Sequence, residues 1–158
     1  MAAKFTQTYL DALFAAPELK KLIEIAGYFH GSEEYRRDAP DFGLPQPVFV
    51  FQETLTWFSQ AIRSGVWTYY EATPRVRQEA MQRALECEAP SGYAATYSLG
   101  METWQDDVKC HGVDQWITAH ENDCNRWLWR LANQYRPIFE RVCGQINPTG
   151  PKAGPDGR

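Results

Sequence analysis

Between Val113 and Val142, apolar and aromatic residues return at helical spacing. At about 100° per residue, Val113, Trp116, Ile117, His120, Cys124, Trp127, Leu128, Leu131, Tyr135, Ile138, Phe139 and Val142 share one stripe roughly 140° wide, which needs a core to lie against. Pro137 falls inside the pattern. It lacks an amide proton and its ring crowds the carbonyl of Asn133, so the spacing predicts one long C-terminal helix kinked near Pro137. Trp129 lies on the opposite side among Thr118, Asn122, Asn125, Arg126, Asn133 and Arg136. An indole beside guanidinium groups is either a tertiary contact or an anchor for a partner.

Upstream, shorter periodic segments are separated by breakers. Phe5, Tyr9 and Leu13 form one side of a first helix that should stop near Ala16, because Pro17 disfavours helical geometry in the residue before it and suits the first turn of the next helix. In that second helix Leu19, Leu22, Ile23 and Ala26 repeat on one face until Gly27 and Gly31 permit an ending. Residues 30–47 carry Gly31, Pro40, Gly43, Pro45 and Pro47 around a charged run and read as a long surface loop.

Phe51, Leu55, Phe58 and Ile62 continue helically from Val48, with Phe49, Val50 and Trp57 on other faces, so this helix should be covered on more than one side. Its opening, Val48-Phe49-Val50-Phe51, also fits a short strand. After the break at Ser64-Gly65, the aromatic segment Val66, Trp67, Tyr69 and Tyr70 leads to Thr73-Pro74. That pair reads as the cap and first-turn proline of a helix to about Glu88, with Val76, Ala80, Ala84 and Cys87 on one side. A further helix should span about Tyr93 to Trp104, between Pro90-Ser91-Gly92 and the acidic turn Gln105 to Gly112.

These elements predict an all-α fold: a single-domain helical bundle of about six or seven helices over residues 1–146. Residues 147–158, rich in Pro and Gly with nothing large and apolar to bury, read as a disordered tail. A chain of 158 residues can bury about two thirds of its unfolded surface in one core. Six Trp, eight Tyr and eight Phe make rings the main packing units of that core.

The net charge of −4 disfavours direct nucleic-acid binding, which draws its nonspecific affinity from Lys and Arg releasing counterions. No apolar run approaches the ~20 residues of a membrane span, and Met1 to Phe14 lacks the pattern of a signal peptide. A cytoplasmic protein without membrane contact is the expectation. Cys87, Cys110, Cys124 and Cys143 contain no Cys-x-x-Cys and are expected as reduced thiols, three of them packed.

Candidate chemistry is sparse. Cys110-His111 with His120 and Cys124, four apart on a helix, is the best metal candidate, but the spacing is not that of a zinc finger, and His120 and Cys124 belong to the apolar stripe. His120-Glu121 begins a metalloprotease-like pattern whose second histidine position is Cys124. Nucleophile elbows, phosphate loops and dinucleotide glycine patterns do not occur, so neither catalytic residue, metal nor cofactor is called for. The acids Glu102, Asp106, Asp107, Asp114, Glu121 and Asp123 precede the bases Arg126, Arg130, Arg136 and Arg141. This order matches helix dipoles; it also fits an acidic patch that steers a basic partner toward an Arg and Trp face.

The run Gln52-Glu53-Thr54 through Trp57-Phe58, followed by Arg63-Ser64-Gly65-Val66-Trp67-Thr68-Tyr69-Tyr70-Glu71-Ala72-Thr73, resembles the bacterial DNA-mimic-protein-like family of small helical domains. In that family a helix ends in an Asn-Gly-Gly-like turn followed by aromatics; here Ser64-Gly65-Val66 replaces the turn, and Trp67, Tyr69 and Tyr70 replace the aromatics. With the Ala-rich helix, acidic loop and final helix downstream, the resemblance covers residues 48–142. It implies a binding protein without catalysis, either presenting carboxylates as a surrogate for duplex phosphates or acting as an immunity protein beside a bacterial toxin.

The modest charge and the accompanying arginines favour protein inhibition. The expectation is therefore a non-catalytic, immunity-type inhibitor that occludes the active surface of another bacterial protein, such as a toxin, with Trp129, Arg126, Arg136, Asp106 and Asp107 at the interface. A DNA mimic and a small hydrolase using His111 or His120 with a nearby carboxylate are the alternatives.

Overall fold

The computed structural model describes residues 5–144, and the expected tail at 147–158 lies outside them. Among the described residues the chain forms nine α-helices: α1 (Gln7–Leu13), α2 (Leu19–Phe29), α3 (Gln46–Ser64), α4 (Trp67–Ala72), α5 (Arg75–Glu88), α6 (Tyr93–Thr103), α7 (Asp107–Ala119), α8 (Glu121–Gln134) and α9 (Arg136–Cys143). The all-helical single domain stands, while the expectation of six or seven helices is corrected. Most of the difference lies at the C-terminal end, where the single apolar stripe of the sequence is divided among α7, α8 and α9.

Each division has a local cause. At His120 the ring Nδ1 donates to the Trp116 carbonyl at 2.6 Å, occupying the acceptor that an unbroken helix would offer to the His120 amide. That amide turns instead to Ile117, three residues back, at 3.0 Å, and the His120 backbone leaves helical geometry at φ −110°, ψ 10°. A side chain has displaced a backbone hydrogen bond. The second division is at Tyr135, φ −108°, ψ 30°, which places Pro137 in the first turn of α9. A first-turn residue needs no amide partner, so Pro137 starts a helix rather than kinking one.

The α3 helix occupies the centre, packed against α2, α4, α5, α7 and α8. Val48 to Phe51 is fully helical rather than a strand, and every residue from Pro47 to Leu55 is buried. Phe51 meets Phe29 of α2 and Phe139 of α9 at ring separations of 5.9 and 5.2 Å. This cluster explains two changes in α2: the helix runs through Gly27 to Phe29, and its buried face is Leu22, Ile25 and Phe29, leaving Leu19 and Ile23 exposed. Similarly, α1 ends at Leu13, short of Ala16, and α5 buries Gln78, Met81, Ala84 and Leu85 while Val76 and Cys87 face outward.

The aromatic segment after Gly65 is itself a helix, α4, which buries Tyr69 and Tyr70 and leaves Trp67 half exposed. Tyr70 reaches α6, where its hydroxyl donates to the Tyr97 carbonyl at 3.0 Å. Gly100 permits this approach, since a Cβ there would overlap the Tyr70 ring. Cys110, Cys124 and Cys143 are buried and Cys87 is exposed. No described helix is long and apolar enough to cross a membrane.

Candidate functional site

Because α3 is enclosed by other helices, its polar residues Gln52, Glu53 and Thr54 are buried along with the apolar ones. Glu53 is only 4% exposed and its neighbour Gln52 only 6%. Burial in a poorly polar site disfavours a carboxylate, and it pushes the Glu53 carboxyl above its ordinary range; the Tyr69 hydrogen bond and the more distant Arg77 charge pull the other way. The Tyr69 hydroxyl donates to Glu53 Oε2 at 2.6 Å and lies 2.7 Å from the Tyr97 hydroxyl, so a three-member chain joins α3, α4 and α6. Burial also raises the titration of both phenols, which remain neutral donors. Gln52 Oε1 has no hydrogen-bond partner.

Gln52 and Glu53 line a cleft of about 280 Å³, together with Tyr69, Thr73 and Arg77. The cleft adjoins a groove of about 390 Å³ between α2 and α3, lined by Ile23, Ala26 and Leu55. His30, Gln52, Thr56 and Gln60 border both spaces. One wall is held by residues 30–45, part of the stretch 30–47 expected as a long surface loop; Gln46 and Pro47 instead open α3, and the rest is tied down. Arg77 donates from Nε to the Pro40 carbonyl at 3.0 Å and from Nη2 to the carbonyls of Arg37 and Ala39 at 3.1 and 2.9 Å. Its guanidinium lies 3.9 Å over the Phe42 ring, which stacks on Tyr35. Glu34 pairs with Arg141 of α9 at 2.9 Å, fastening the segment at its other end.

Four of the residues expected at a partner interface, Trp129, Arg136, Arg126 and Asp106, make contacts within the chain. The Trp129 indole donates to the Phe14 carbonyl at 2.8 Å, and Asn133 reaches the same oxygen at 3.2 Å. Arg136 lies 4.8 Å over the Phe14 ring and bonds Glu140 and Asp11. These two residues therefore meet over the end of α1 and hold it to α8 and α9. Arg126 pairs with Asp123 of its own helix. Asp106 caps α7 by accepting from the Val108 and Lys109 amides at 3.1 Å, and Asp107 is exposed in the first turn.

Of the metal candidates, Cys110 and Cys124 are buried, His111 is exposed, and the His120 ring is engaged by Trp116 through both a stack at 3.9 Å and a hydrogen bond. Burial raises both thiols above their ordinary range, and a thiol is not the form that ligates a metal. Among the described residues no group of three or more His, Cys, Asp or Glu is placed to hold a metal ion.

Sequence reasoning did not single out Gln52, Glu53, His30 or Arg77 as a site. The available signal was the polar triplet Gln52-Glu53-Thr54 interrupting the apolar run from Val48 to Phe58, in a helix expected to be covered on several sides. Polar residues in such a helix are buried, and buried polar residues need a reason.

No protein-family model matches the chain, and no curated protein or solved structure matches it. The likeness to the DNA-mimic-protein-like family thus rests on the residues quoted for it alone.

Proposed function

We propose that the protein acts by binding, occluding the working surface of another bacterial protein in the manner of a toxin immunity protein, and that the groove between α2 and α3 is where it does so. The groove itself carries this reading. Leu55 and Ala26 line it, Ile23 on its border is 51% exposed, and Leu19 one turn away is 47% exposed. Apolar side chains left in water beside a concavity mark contact surfaces more often than scattered ones do. The net charge of −4 favours a partner with basic surface.

The DNA-mimic reading draws less support. Asp11, Glu34, Glu102 and Asp123 are each paired with an arginine, which leaves fewer free carboxylates to stand in for a row of phosphates. A hydrolase reading is favoured by one observation, that His30 borders the Glu53 cleft, whereas His111 and His120 do not line it.

Capture from the native cell with the full chain and with Ile23→Asp as parallel baits tests the proposal. The expected result is a protein retained by the parent, depleted about tenfold by Ile23→Asp, and inhibited by the purified chain. Equal retention by both baits removes the groove; a retained protein whose activity is unaffected removes the inhibitory role.

A further inference from the structure

A buried carboxyl is tolerated when it is protonated, when several donors surround it or when a cation pairs with it. Glu53 has one hydrogen-bond donor, the Tyr69 hydroxyl. Among the described residues it makes no ion pair. The nearest candidate, Arg77, is engaged by three backbone carbonyls and a ring face and serves as a wall. Beside Glu53, Gln52 lines the same cleft, and its Oε1, itself buried, has no hydrogen-bond partner. Two nearly buried polar side chains therefore line one cleft, one a carboxyl with a single donor and the other with an unsatisfied oxygen. The cleft opens, past Thr56 and Gln60, into a groove with aliphatic walls.

We propose that this cleft is a binding site for a cationic head on an aliphatic stem, an alkylguanidinium or alkylammonium group. The head pairs with the ionised form of Glu53, whose carboxyl proton leaves to solvent on binding, with the Gln52 side chain beside it, and the stem lies along Leu55 and Ala26. A guanidinium suits the pair best, because its planar fork donates to two neighbouring acceptors at once and is weakly hydrated, so that its desolvation costs less than that of an ammonium. The same head is carried by a basic side chain of a partner protein or by a free small cation. The site shares Leu55 and Ala26 with the groove, but it is defined by Glu53 and Gln52 rather than by exposed apolar surface, so its test does not depend on the groove's proposed role.

Calorimetric titration of the full chain with three probes tests it: n-butylguanidinium chloride, N-acetyl-arginine N-methylamide, and the neutral isostere n-butylurea. Saturable binding of n-butylguanidinium is expected, at least about tenfold tighter than n-butylurea. Glu53→Gln, with an unchanged circular dichroism spectrum, should weaken the cation about tenfold or more and leave n-butylurea unaffected. Thr56→Arg, which places a tethered guanidinium one helical turn from Glu53, should block n-butylguanidinium while raising the melting temperature.

The blocked arginine identifies the source. Binding comparable to n-butylguanidinium indicates a side chain presented on a polypeptide, and loss of binding for the blocked form alone indicates a free cation; either supports the site. Equal affinity for n-butylurea, or unchanged affinity of n-butylguanidinium for Glu53→Gln, overturns the proposal, as does absence of saturation by any cation.

Discussion

The indole nitrogen of Trp129 donates a 2.8 Å hydrogen bond to the carbonyl oxygen of Phe14, joining two positions 115 residues apart. Phe14 follows the last turn of α1, where helix carbonyls have lost their own amide partners and must find others. Trp129 and Asn133 supply them from one face of α8. The aromatic on the polar side of the helix is thus explained from within the chain: it closes an open helix end.

Replacing this residue separates its roles. Trp129→Ala should lower stability by about 2–3 kcal/mol, from lost ring packing and one lost donor, and Trp129→Phe by about 1 kcal/mol because Asn133 still reaches the oxygen. Urea denaturation checks both. A change for Trp129→Ala within about 0.5 kcal/mol of the parent would contradict a structural role.

Glu53 should give stability an unusual pH dependence for a carboxyl. Its native titration is raised, so the folded protein keeps a proton that the unfolded chain gives up near pH 4.3, about the ordinary glutamate value. The contribution is full below that pH and is lost as pH rises through the native value. The groups facing it are Tyr69 on α4, Tyr97 on α6, Arg77 on α5 and His30 after α2. Glu53→Gln carries no charge at any pH. Its melting temperature should therefore exceed the parent's more at about pH 8 than at about pH 4.5. A gap that is constant across that range would place the native titration at the unfolded value.

Arg77 should control the 30–45 segment. Arg77→Lys keeps the charge but lacks the fork that serves three carbonyls, and should cost about 1–2 kcal/mol; Arg77→Ala should cost at least as much. Limited trypsin digestion reads the local consequence, cleavage after Arg36 or Arg37 accelerated about tenfold while the helical signal persists. Unchanged cleavage would show that the Glu34–Arg141 pair and the Tyr35–Phe42 stack suffice.

Much of the fold was legible in local pattern. The positions of α5 and α6 and the wrapping of α3 follow from spacing and breakers. The division of the terminal helix was not legible, because Pro137 permits either a kink or a new first turn, and the break at His120 depends on where one imidazole points. The cleft was harder still. Gln52 and Glu53 are visible as polar residues in an apolar run, but the groups around Glu53 lie on α4, α5 and α6.

Helicity is set by contacts between residues three and four apart, so the sequence carries it openly where apolar positions repeat at that interval, as in α2, α3 and α8. Which face turns inward, and whether a buried polar group is satisfied, depends on neighbours brought together from distant segments. Trp129 has a partner and Gln52 Oε1 lacks one for that reason. Their surroundings are assembled only when helices far apart in the chain pack against one another.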